Sequence, residues 1–384
     1  MKHTNQFSGK AVQHGLGRTN TGSLQSIWIE LPAYCNLACS YCYACGGEIK
    51  DTTEWLTRAD YIRVLDEAQK LGVDSVGVPG AGEPFVKKNH DLTMWFLHQC
   101  ADRGFYVTLF TTGEFITEEL ARELYDLPVE IMLKGNTLDP DYQDRFVSNP
   151  AKGRIIHGYG EKRNQAIEIL MKVGFNNRDE AQRFGRESRM AIVTSIMTDE
   201  EEGGLSNIDQ VADIYRFCRD RNIIADIDTI LKRGRAMECG LTSGDKRIME
   251  VLQGLRKIAI DEYGDKEAAL SSTYVETVCD RYHHHLYVDV QGRIRPCIGA
   301  MDVDLGNIKQ KTLQEAWDSK ERRIIRERKF AGPCASCANF QEGKCNSCLG
   351  RRTPASGEKA LTNEHLLRDN AVQTTGCPLR RACS

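Results

Sequence analysis

Cys35, Cys39 and Cys42 are spaced C-x3-C-x2-C in the segment Pro32-Ala-Tyr-Cys-Asn-Leu-Ala-Cys-Ser-Tyr-Cys-Tyr43. A four-iron cluster is normally closed by four cysteine thiolates. Three thiolates leave one iron with an open position, and an open iron can bind and activate a ligand. The competing use of such a triplet is as part of a zinc site. A second group of cysteines lies far downstream. Cys279, Gly292 and Cys297 run C-x12-G-x4-C; Cys334, Cys337, Cys345 and Cys348 run C-x2-C-x7-C-x2-C; Cys377 and Cys383 follow. Paired C-x2-C units also suit a zinc knuckle, but a knuckle accounts for neither Cys279 and Cys297 nor the upstream triplet.

The elements that must position the triplet follow from periodicity. Ile27 to Leu31 reads as a strand that delivers the cysteine loop. Residues 57–71 carry Tyr61, Val64, Leu65, Ala68 and Leu71 at helical spacing. Val73–Val78 is a second strand, followed by Pro79-Gly80-Ala81-Gly82-Glu83-Pro84. A helix near 90–103 leads to the strand Phe105–Phe110, which ends in Thr111, Thr112 and Gly113. Thr117 caps the next helix, with Glu118 and Glu119 at its positive end. Val129–Leu133 is a fourth strand. Residues 161–173 and 207–220 read as helical, 189–197 and 223–231 as extended. Six β-then-α units predict a parallel sheet closing into a full or partial barrel, with chemistry at the C-terminal ends of the strands.

The fold class is therefore α/β: a full or partial (β/α)6 TIM-like barrel followed by a small cysteine-rich domain. The expected boundaries are an N-terminal arm over 1–24, the barrel over 25–235, a helical bridge over 236–278 and the second domain over 279–384. Ile248, Val251, Leu252, Leu255, Ile258 and Ala259 mark the bridge helix, and a hairpin is expected to turn at Gln291-Gly292.

With 384 residues the chain can bury a large core. A net charge of −3 gives no global basic field, so no nucleic-acid partner is expected. No long apolar run or signal peptide appears, and the start Met1-Lys-His-Thr-Asn-Gln is polar. The expectation is a cytoplasmic protein with no membrane partner. Fifteen cysteines, clustered as these are, point to metal rather than disulfides in a reducing compartment.

The triplet, its place after the first strand and the downstream cysteines resemble the radical SAM superfamily. The resemblance implies that S-adenosylmethionine (SAM) chelates the open iron and is reductively split into methionine and a 5′-deoxyadenosyl radical. Tyr41 fits the family's aromatic position before the third cysteine. Gly80 to Pro84 resembles the Gly-Gly-Glu-Pro motif that contacts the SAM amino group, with Ala81 in place of the first of its two glycines and Glu83 retained. By the same resemblance Thr112, Lys134, Asn136 and Ser195 become further SAM contacts; otherwise they are solvated strand-end residues.

The downstream pattern resembles the SPASM extension of that superfamily. Its four-cysteine knot here has intervals of seven and two residues where the family has five and three. The resemblance implies one auxiliary 4Fe-4S cluster on Cys334, Cys337, Cys345 and Cys377. It implies another on Cys279, Cys297 and Cys348, whose fourth ligand could be Cys383, another residue or the substrate. An electron donor such as flavodoxin or ferredoxin is the expected partner. Cys239, after the sixth strand, is either an inert loop cysteine or the hydrogen donor of an epimerase. Cys45 reads as a bystander, and Cys100 and Cys218, within predicted helices, as small core residues. His283, His284 and His285 cannot all face one ion on a strand. Residues 320–329 read as a mixed-charge helix with a solvated face.

The implied function is hydrogen abstraction by an oxidoreductase or epimerase. The twenty-odd residues before the first strand are too few for a leader-binding module, and Ile298 stands where sulfatase-maturing enzymes carry aspartate. Both features favour a sugar or aminocyclitol in natural-product biosynthesis. A peptide or protein maturase is the alternative, and a non-catalytic Fe–S or zinc-stapled binding protein is the third reading.

Overall fold

The computed structural model describes residues 22–48, 51–198, 205–231, 233–238, 246–265, 281–327, 329–341 and 362–373. The expected units form: β1 (Ser26–Ile29), α1 (Arg58–Lys70), β2 (Ser75–Val78), α2 (His90–Asp102), β3 (Tyr106–Thr111), α3 (Glu118–Tyr125) and β4 (Val129–Lys134). Then come α4 (Pro140–Phe146), α5 (Tyr159–Val173), α6 (Arg178–Gln182), β5 (Met190–Ile196), α7 (Val211–Asp220) and β6 (Ile224–Thr229). These six strands lie side by side in chain order, all parallel. Strands β1 to β3 are buried along their whole length, as expected for a parallel sheet covered on both faces. Local caps agree with the sequence. Thr57 forms a capping box with Asp60, and Thr117 accepts from the Leu120 amide.

The domain boundary drawn at residue 279 does not separate two sheets. Strand β7 (His285–Val288) pairs in parallel with β1, in register Ile27↔Leu286, and β8 (Ile294–Arg295) returns antiparallel to it. The sheet thus has eight strands in the order β6-β5-β4-β3-β2-β1-β7-β8. Without β7, strand β1 would be an open edge with unpaired backbone groups, and the hairpin covers it. The turn falls where the sequence places it. Gly292 has φ +83°, and Asp289 Oδ1 accepts from the amides of Gln291 and Arg293.

The bridge is likewise part of the barrel wall. After the short α8 (Arg235–Glu238), helix α9 (Lys246–Asp261) buries Ile248, Leu252, Leu255 and Ala259 against Ile196, Val211, Tyr215 and Ile227. The expected mixed-charge helix forms over Lys320–Arg326, but it is not simply solvated: Arg322, Ile324 and Ile325 are buried. One large core fills the space between sheet and outer helices. A smaller cluster of Trp28, Phe110, Met132, Ala191, Val193 and Tyr287 fills the barrel interior, with Ile298 and Met301 packed on it. Among the described residues no helix is long and apolar enough to cross a membrane.

Candidate active site at the mouth of the barrel

The cysteine loop leaves the C-terminal end of β1 and is gripped from three sides. From beyond β6, the Arg235 guanidinium is 1% exposed and donates to Cys39 O at 3.0 Å, Gly46 O at 3.2 Å and Glu48 Oε1 at 3.0 Å. The Arg235 amide donates to Cys42 O at 3.0 Å. From beyond β2, the Glu83 amide donates to Tyr34 O at 2.9 Å, and a Cβ on Gly82 would stand 2.4 Å from that same oxygen. The Asn89 side-chain amide, at the start of α2, reaches Pro32 O (2.9 Å), Tyr34 O (3.1 Å) and Glu83 O (2.8 Å). From α4 and its end, the carbonyls of Phe146 and Val147 accept from the amides of Ser40 and Ala38. A backbone held this closely leaves little freedom to the thiols it carries.

Cys35, Cys39 and Cys42 are free and half-buried. Burial pushes the Cys35 thiol up to about 11, and burial with the neighbouring Cys35 and Cys42 raises Cys39 further. Bare thiolates are disfavoured here, so ligation calls for a cation that compensates three sulfurs, as iron in a cluster does. Two protein cations stand by: Arg235, and Lys134 at the end of β4. Burial lowers the Lys134 pKa, while Asp226, Cys39, Cys42 and Asp228 oppose that shift. The donor set, the clamped loop and the adjacent cations fit a three-thiolate 4Fe-4S cluster. Cys45 takes φ +51°, and the Gly46 amide donates to Cys42 Sγ at 3.3 Å.

The other expected site residues gather around this loop. Gly80 takes φ +74°, and Ala81 and Pro84 are buried. Glu83 is 1% exposed, and its carboxylate accepts from Thr111 Oγ1 (2.7 Å), the Thr112 amide (2.7 Å) and the Phe85 amide (3.2 Å). It joins the ends of β2 and β3, and burial raises its pKa. Asn136 and Ser195 are brought together, the Ser195 amide donating to Asn136 Oδ1 at 3.0 Å. Asn207 ties both, donating to the carbonyls of Asn136 and Ser195. Tyr41 packs against Phe146, Met197, Ile230 and Ala236.

Sequence reasoning missed Arg235, Asn89 and Asn207, whose partners here are mainly backbone carbonyls. It also missed Glu30, whose carboxylate binds Tyr287 OH, the Val290 amide (2.9 Å) and Tyr43 OH (3.4 Å). That carboxylate links the cysteine loop to the β7–β8 hairpin.

Downstream, Cys297 is half-buried after β8, and Cys334 is buried beside the half-buried Cys337. Cys239, Cys279, Cys345, Cys348, Cys377 and Cys383 lie outside the described residues. Of the three histidines only His285 lies in strand β7, so strand alternation does not sort them. His283 Nδ1 lies 3.1 Å from Arg326 O, whereas His284 and His285 both approach Ser26 Oγ, at 3.2 and 3.0 Å.

Residues 29–181 match the radical SAM superfamily, and residues 279–338 match the SPASM iron–sulfur cluster-binding domain. The chain belongs to the radical SAM superfamily. The cofactors of that family are 4Fe-4S clusters and SAM, as the cysteine loop requires. A curated relative in Pyrococcus furiosus is the tungsten-containing aldehyde ferredoxin oxidoreductase cofactor-modifying protein, 27% identical over 39% of this chain and 40% of its own length. Another is the sporulation killing factor maturation protein SkfB of Bacillus subtilis, 23% identical over 76% of this chain and 64% of its own length. This radical SAM protein thus spans less than two thirds of either relative. Streptococcus suis SuiB, solved with its precursor peptide SuiA, shares the fold at TM-score 0.59 and 17% identity, covering 83% of this chain and 71% of SuiB.

Proposed function

We propose that this protein is a radical SAM maturase that abstracts hydrogen from a carbon of a peptide or protein substrate. The three-thiol loop at the barrel mouth, clamped by Arg235, Asn89 and Gly82, carries the reading. A 4Fe-4S cluster on Cys35, Cys39 and Cys42, with SAM on its open iron, would supply the 5′-deoxyadenosyl radical. Around it we assign Tyr41, the backbone of Gly80, Ala81, Gly82 and Pro84, and the side chains of Thr112, Lys134, Asn136 and Ser195 to the SAM pocket. Glu83 holds that pocket's wall through Thr111 and Thr112. Phe110, Met132, Val193, Ile298 and Met301 line an apolar interior that keeps water from a reactive centre. Cys279, Cys297 and Cys348 are assigned to one auxiliary cluster and Cys334, Cys337, Cys345 and Cys377 to the other, with Cys383 as a further ligand. A flavodoxin- or ferredoxin-type donor delivers the electron. Cys239 returns a hydrogen atom only if the net reaction is an epimerisation.

The peptide reading replaces the preference for a sugar or aminocyclitol. It is supported by the maturation role in SkfB's name and by the precursor peptide bound to SuiB. The test supplies the reconstituted full chain with extract from its source cells grown in deuterated medium. Deuterium entering 5′-deoxyadenosine from a protease-sensitive fraction is expected. Deuterium from a protease-resistant small-molecule fraction instead would overturn the peptide reading.

A further inference from the structure

Arg322 is the feature this function does not use. It sits in the helix Lys320–Arg326, is wholly buried, and stacks over the Trp317 ring at 4.4 Å. Its Nη2 donates to His285 O at 2.9 Å. Its Nε and Nη1 have no hydrogen-bond partner among the described residues. Burial and the neighbouring Arg326 push its pKa down to about 9, and the one described group acting the other way is Cys297. A buried cation with idle donors and no carboxylate beside it among the described residues is an arrangement proteins avoid unless something anionic joins it.

The hairpin shows where that anion would lie. Its pairs are Tyr287↔Arg295 and Val288↔Ile294. Cys297 lies two residues beyond Arg295, past a bend at Pro296, at the end of β8 that adjoins the start of β7 at His285, the residue whose carbonyl holds Arg322. A cluster ligated by thiolates is an anion whose potential follows its net charge and the hydrogen bonds to its sulfurs.

We propose that Arg322 is the built-in counter-cation of the auxiliary cluster held through Cys297, and that Nε–H and Nη1–H donate to its sulfurs. This rests on the reading of Cys297 as a cluster ligand. Reduction adds one negative charge to the cluster, and a fixed guanidinium favours the reduced form. Arg322 is thus a positioning residue that raises the auxiliary potential and leaves the SAM-binding cluster untouched.

The test is an anaerobic redox titration of the fully reconstituted chain, followed by EPR. The SAM-binding cluster is recognised as the signal that changes when SAM is added. Arg322→Met should shift the auxiliary reduction equilibrium about tenfold toward the oxidised form, ~59 mV for one electron. Arg322→Lys, which keeps the charge but loses the planar fork, should shift it less in the same direction. An auxiliary potential unchanged in Arg322→Met, or an equal shift in both signals, overturns the proposal. If Arg322→Met fails to fold, Arg322→Lys decides: a wild-type auxiliary potential overturns it. Cys297→Ala is the separate control. If it keeps every cluster signal, the ligand reading is wrong and the proposal falls with it. If it loses one auxiliary signal while Arg322→Met leaves that potential unmoved, only the Arg322 role fails.

Discussion

The floor and the mouth of the barrel both bury charge, but they neutralise it differently. At the floor, Glu130 is wholly buried and accepts from Tyr106 OH (3.2 Å) and Thr108 Oγ1 (3.0 Å), with Arg186 Nε at 3.5 Å. Beside it Arg189 spends its guanidinium on the carbonyls of Val129, Tyr125 and Leu127 and lies over the rings of Tyr125, Phe175 and Phe184. At the mouth, Lys134 faces Asp226, Asp228 and the half-buried thiols of Cys39 and Cys42. The floor is a closed network that stabilises the fold. The mouth keeps thiols that become favourable ligands only when a cluster joins them. Stability below and chemistry above is the division expected of such barrels.

Substitutions can break that contrast. Glu130→Ala strands Arg186 and should cost ~3–5 kcal/mol of unfolding free energy. Its iron content after reconstitution should match the wild type, and loss of iron in the folded variant would mean that floor and mouth are coupled.

Glu30 gives a pH signature near the mouth. Burial raises its pKa to about 7, with Asp289 adding to the rise and Tyr287, Val290 and Tyr43 opposing it. The folded chain therefore holds a proton that the unfolded chain releases at ordinary carboxylate pH. Stability should fall as pH rises from about 4.5 to about 7, by ~3 kcal/mol in total. Glu30→Gln should flatten that fall. Urea melts across the window check it, and a slope unchanged in the variant would contradict the assignment.

Gly82→Ala drives a Cβ against Tyr34 O and should cost ~1–3 kcal/mol. Its sharper effect is on the loop, with loss of about four irons, one cluster's worth. Full iron in the variant would show that the grip on Tyr34 does not hold the site. Lys134→Met should change stability by less than about 1 kcal/mol, since the half-buried ammonium faces the half-buried Asp226 and the exposed Asp228, and solvent screens such pairs. It should nevertheless weaken SAM binding, measured by equilibrium dialysis of the reconstituted protein. Unchanged SAM affinity would remove Lys134 from the pocket.

Much of this was legible in the sequence because the signals are local. Strand and helix periods gave six βα units in order, the C-x3-C-x2-C spacing gave the ligand loop, and Gln291-Gly292 gave the hairpin. The docking of β7 on β1 was not legible, because Ser26 and His285 are joined across the chain by ordinary backbone pairing. The clamps were hidden for a similar reason. Arg235 and Asn89 act mainly through backbone carbonyls of the cysteine loop, which leave no residue pattern to find. The bridge helix read correctly as a helix, but its partners Val211, Tyr215 and Ile227 are set by tertiary packing.

The most direct measurement is SAM cleavage by the anaerobically reconstituted chain with a low-potential reductant, compared with a variant carrying alanine at Cys35, Cys39 and Cys42. About twelve irons in the wild type, about four fewer in the variant, and 5′-deoxyadenosine formed only by the wild type are predicted. Stoichiometric zinc with no 5′-deoxyadenosine, or cleavage that survives in the variant, would contradict the assignment of the cysteine loop.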